Sequence, residues 1–141
     1  MTRTNINDQR VIMITCSTVD DDLNPVDVRK VFYVGYDPYL CAHLTFWRAG
    51  ECCVHFALEC EQSTIADMRV DLPPRVGMRT AVFGIDLRKM SAIERLIDHD
   101  LEVVASIDGL EVARCDFVLR RLDVSKEIKK HFTASFIDGY A

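Results

Sequence analysis

Short runs of alternating apolar and polar side chains fill most of the chain, separated by turn residues. VIMITCS (11–17) is the first, closed by the acids Asp20, Asp21 and Asp22 and the turn signal Asn24-Pro25. VDVRKVFYVGY (26–36) follows and stops at Asp37-Pro38; AHLTFWR (42–48) ends at Ala49-Gly50. CCVHFALEC (52–60) alternates cleanly, with Cys52, Val54, Phe56, Leu58 and Cys60 on one face. ADMRVDLPP (66–74) predicts a short strand that Pro73 and Pro74 end or confine to an edge, because proline cannot donate to the ladder. MRTAVFGIDL (78–87) is the next strand. Each run has the period of two that marks a half-buried strand.

The period then changes. Ser91, with Glu94 three residues on, has the form of a capping box, and Ile93, Leu96 and Ile97 make one stripe. A short helix over 91–98 is predicted, and SKEIKKHF (125–132) predicts a second. Between them lies the hairpin of residues 101–122, LEVVASIDGLEVARCDFVLRRL. Asp108-Gly109 suits a tight two-residue turn that needs positive φ. Leu101, Val103, Ala105 and Ile107 face one way on the first strand, as do Ala113, Cys115, Phe117 and Leu119 on the second. FTASFIDGYA (132–141) supplies a candidate last strand. About eight strands with little helix predict an antiparallel β-sandwich in a single domain, residues 1–141.

Composition fits that picture. Of 141 residues, 49% are hydrophobic and 28% charged, an ordinary globular balance. The net charge of -5 argues against direct nucleic-acid binding, which needs a clustered positive surface, and favours a basic partner. No apolar run reaches the roughly 18 residues of a membrane span. MTRTNINDQR lacks the apolar core of a signal peptide, so an intracellular location, nucleus and cytoplasm, is expected.

No enzyme motif stands out: there is no glycine-rich phosphate loop, no nucleophile elbow and no paired histidines at helical spacing. Asp98-His99-Asp100 offers acid–base groups, but consecutive strand residues point to opposite faces, so a polar strand entry is the simpler reading. Cys41, His43, Cys52, Cys53, His55 and Cys60 offer zinc ligands, yet alternation splits Cys52 and Cys60 from Cys53 and His55. The expectation is therefore no metal, no cofactor, no small-molecule substrate and six unbridged thiols. Trp47 shares a face with His43 and Thr45, and both a core and a contact role fit it.

The outer face of the hairpin remains. It carries Glu102, Val104 and Ser106 on the first strand and Val112, Arg114, Asp116, Val118 and Arg120 on the second. Apolar anchors with a charged rim suit a protein-binding face. Valines that merely favour strands would produce the same pattern on a solvated face.

An ordered series of residues adds to this. Asn24-Pro25 opens a strand; Leu44, Phe46 and Gly50 follow; then come Asp67, Pro73, Gly77, Phe83 and Asp86; and IDGLEVARCDFVL (107–119) carries Gly109, Glu111, Arg114 and Phe117. From about residue 24 to 128 the sequence resembles the anti-silencing-function histone chaperones, small acidic proteins with an immunoglobulin-like sandwich. The resemblance implies a chaperone of histones three and four acting in nucleosome assembly and disassembly. It implies that Arg114 contacts histone three, with Val118, Glu102, Asp100 and Glu94 at family contact positions; Val112 and Val104, read from the alternation of the outer face, complete the expected partner-binding set. Val118 stands where the family has an aromatic contact. Asp100 and Glu102 stand at apolar family positions, and Ser63 aligns with a loop acid. Glu94 matches an acid. The other reading open to the sequence is an intracellular immunoglobulin-like module of viral or bacterial origin with a non-histone partner.

Overall fold

The computed structural model describes residues 11–121. Among them are nine strands: β1 (Val11–Val19), β2 (Pro25–Val28), β3 (Val31–Val34), β4 (Tyr39–Trp47), β5 (Cys52–Cys60), β6 (Ser63–Leu72), β7 (Met78–Asp86), β8 (Asp100–Ile107) and β9 (Leu110–Arg121). One sheet has the order β2-β1-β4-β7 and the other β3-β9-β8-β5-β6. All pairings are antiparallel except β3 with β9. Early chain that pairs in one sheet and then crosses to the other, with hairpins β5–β6 and β8–β9 in the larger sheet, makes this an immunoglobulin-like β-sandwich.

The core forms because the alternation turns one face of each sheet inward. Leu40, Leu44 and Phe46 of β4 and Phe83 of β7 meet Val54, Phe56 and Leu58 of β5 and Leu101 and Val103 of β8. Phe56 and Phe83 stack across the two sheets with centroids 5.6 Å apart. Burying each such side chain contributes about 1.5–3 kcal/mol. β6 is an edge strand and stops before Pro73, as its sequence demands. None of the helices among the described residues is long and apolar enough to cross a membrane.

Two sequence expectations are corrected. Residues 26–36 are not one strand. The chain crosses between sheets at Arg29-Lys30, so β2 and β3 belong to different layers. The predicted α-helix over 91–98 is a single 3-10 turn, Ile93–Leu96, capped by Ala92 in a left-handed conformation with no side-chain cap bond. Tertiary packing of Leu96 holds the turn, and the Ser91–Glu94 pair forms no capping box. The helix expected over 125–132 and the strand expected over 132–141 lie outside the described residues.

Candidate acidic sheet face

The β8–β9 hairpin turns through Asp108 (φ 50) and Gly109 (φ 89). Both residues are left-handed, as a tight hairpin requires. The Asp108 carboxylate also accepts the Cys53 amide at 3.0 Å, which ties the turn to β5. This fixes the register of three adjacent strands, and with it the outer face of the larger sheet.

Register places Arg114, Val104, Ala57 and Asp67 in one row across β9, β8, β5 and β6. The neighbouring row is Asp116, Glu102 and Glu59. Three carboxylates thus stand side by side on paired strands, an arrangement that costs stability because like charges face each other directly. Two cations hold it together. Lys30 bonds Asp116 at 2.7 Å. The Arg114 guanidinium lies 3.2 Å from Glu102 and 3.8 Å from Glu59.

Arg114 has a third acid. Its Nε and Nη2 donate to the two oxygens of Glu111 at 2.7 and 2.9 Å. A β-bulge makes this possible. Ala105 pairs with Ala113 but Ser106 pairs with Glu111, so Val112 has no partner and Glu111 comes onto the outer face. The bidentate Arg114 bond draws the Glu111 carboxyl below its ordinary pKa, and the Lys30 bond does the same for Asp116. The Arg114 side chain stays 45% exposed. Its partners Glu102 and Glu111 are exposed to a similar degree, so the cluster is wet and exchangeable.

The expected site residues fall into three groups. Arg114, Glu102, Asp100 and Val118 do share the outer face, with Asp100 and Val118 in register at its end. Val104 is on that face but only 7% exposed, so it offers little area as an anchor. Val112 is a correction: the bulge turns it inward, where it packs against the core. Glu94 lies off the face in the 3-10 turn, where it pairs with Arg121 at the far end of β9. Arg120 pairs with Asp98 at 3.6 Å.

Sequence reading did not select Glu59, Glu111 or Lys30. Alternation in CCVHFALEC already put Glu59 outward, but its neighbours depend on strand pairing. The zinc candidates are dispersed. Cys41 and His43 lie on β4 of the smaller sheet, Cys52 faces the core, and His55 pairs with Asp67 at 3.0 Å. All six cysteines are free. Trp47 is exposed at the end of β4.

No protein-family model matches the chain, and no curated protein matches it. Among solved structures, an alkylpurine DNA glycosylase of Pseudomonas fluorescens, bound to DNA containing an abasic-site analogue, has a TM-score of 0.47 and 12% identity, covering 84% of this chain and 35% of its own. An immunoglobulin-like protein of Pseudomonas aeruginosa has a TM-score of 0.46 and 6% identity, covering 77% of this chain and 92% of its own. A β-glucosidase of Listeria innocua in complex with glucose has a TM-score of 0.44 and 14% identity, covering 79% and 16%.

Proposed function

We propose that the chain is a non-catalytic histone chaperone that takes a basic surface of the dimer of histones three and four onto the outer face of its larger sheet. The observation that carries this reading is the row Asp116, Glu102 and Glu59, three carboxylates in direct register with only Lys30 and Arg114 to balance them. A partner rich in lysine and arginine relieves the repulsion that the free protein bears. The resemblance of residues 107–119 to the anti-silencing-function chaperones supplies the identity of that partner. A nuclear and cytoplasmic location follows from the partner, and the mechanism needs no cofactor.

In this reading Arg114 acts by position. Its charge is already spent on Glu111, Glu102 and Glu59, so it masks those carboxylates in the free protein. The partner meets the acids. One observation favours a different basic protein. Asp100 and Glu102 replace apolar family positions and Val104 is buried, so charge outweighs apolar anchoring on this face.

Calorimetric titration with purified histone dimer, and with a lysine-rich peptide of equal charge, separates the two at low and moderate salt. The histone reading expects the dimer to bind more tightly at both salt concentrations. Equal binding of dimer and peptide would favour a general acceptor of basic segments, and no binding of either would remove both readings.

A further inference from the structure

The β5–β6 turn and the approach to β8 bring together three ligating side chains of different chemistry. Cys60 ends β5, Glu61 follows it, and His99 precedes the first residue of β8. Cys60 pairs with Leu101 on one side and Ser63 on the other, so the turn stands over the β8 entry. Glu61 and Gln62 are both left-handed, with φ of 51 and 69, which folds the turn tightly. One ligand atom from each of Cys60, Glu61 and His99 lies within 4.8 Å of the others, the one such group among the described residues.

We propose that Cys60, Glu61 and His99 bind a single zinc ion. Zn–N and Zn–O bonds of about 2.0–2.2 Å at a tetrahedral angle separate their donors by about 3.4 Å. His99 Nδ1 and Glu61 Oε1 already stand 3.4 Å apart. Sulfur, imidazole nitrogen and a carboxylate together suit zinc, whereas calcium and magnesium take oxygen alone. Glu61 and His99 line one depression with Glu59, Asp98, Asp100, Glu102 and Asp116, acids that outnumber its single arginine, Arg114.

Burial, then the charges of Glu61 and Asp100, push the Cys60 thiol above its ordinary pKa. Zinc binding releases the thiol proton to solvent, and the ion then balances the thiolate and the acids around it. Three protein ligands leave a fourth tetrahedral position for water. The sequence holds the pieces in separate motifs, Cys60 among the cysteines and His99 in Asp98-His99-Asp100, and only strand pairing joins them. This site does not rest on the histone reading.

The test uses the whole chain, stripped with a chelator and titrated with cobalt, then zinc. The expected result is one cobalt per chain with a thiolate-to-cobalt charge-transfer band that zinc abolishes. Cys60→Ser removes the band. His99→Ala and Glu61→Gln weaken cobalt binding at least about tenfold, while their metal-free thermal midpoints match the wild type. Absence of the band, its persistence in Cys60→Ser, or wild-type affinity in His99→Ala overturns the site. If Cys60→Ser does not fold, the two variants at exposed positions decide the matter alone.

Discussion

Arg29 and Arg114 are both ringed by carboxylates, yet the two clusters differ in kind. Arg29 sits where the chain crosses from the smaller sheet to the larger. It donates to Asp37 at 2.8 Å, to Asp27 at 3.0 Å, to the Ser17 hydroxyl at 2.7 Å and to the Val31 carbonyl at 3.1 Å. Asp37 is only 6% exposed and also accepts the Tyr33 amide at 2.7 Å. Arg114 has three acids against two for Arg29, and the nearer two, Glu102 and Glu111, stand in water. Burial decides the difference. The Arg29–Asp37 pair is little screened and every polar group has a partner, so it locks the crossover. The Arg114 cluster is screened by salt and contributes little to stability, which leaves its acids available for exchange with a partner's cations.

The largest expected effect breaks the first cluster. Asp37→Ala removes the buried partner of Arg29, leaving it Asp27, and strands the Tyr33 amide, and should cost about 3 kcal/mol in urea denaturation. A loss below about 1 kcal/mol would put the two clusters in the same class. Next comes charge reversal in the second cluster. Glu102→Lys with Glu111→Lys should weaken histone-dimer binding about a hundredfold, since like charges across an interface cost several kcal/mol. The folded fraction, read by circular dichroism, should stay that of the wild type.

Acid sharpens the comparison further. Hydrogen bonding to Arg29 holds the Asp37 carboxyl below its ordinary pKa. Its stabilising contribution is therefore complete above the unfolded value of about 3.9 and is lost as pH falls through the lower folded value. Thermal melts should show wild type losing more stability than Asp37→Ala below about pH 4; parallel curves would argue that Asp37 is not the acid-sensitive group. The smallest effect is expected from Arg114→Ala, within about 0.5 kcal/mol in stability.

Much of this architecture was legible in local pattern. CCVHFALEC matches β5 residue for residue, and Asp108-Gly109 marks the hairpin because both positions need positive φ. Local pattern failed where pairing decides. The alternation of 26–36 continues through Arg29-Lys30, so nothing local reveals that the chain changes sheet there. Ser91 and Glu94 have capping-box spacing, but a left-handed Ala92 breaks the helix before it starts. The bulge at Val112 shifts one residue, and with it moves Val112 inward and Glu111 outward. The acidic row and the Cys60–Glu61–His99 group are properties of register, which periodicity along one strand does not contain.

In the proposed function, the carboxylate row that Arg114 masks in the free protein receives a basic partner. The most direct test is the histone-dimer affinity of Arg114→Ala beside that of the Glu102→Lys, Glu111→Lys variant, measured at low and moderate salt. Arg114→Ala should bind as tightly as wild type or more tightly at low salt, because it unmasks acids, while the reversed variant loses binding at both. Weakening of Arg114→Ala by on the order of 2 kcal/mol, the size expected of a central arginine contact, with the reversed variant little changed, would contradict that reading.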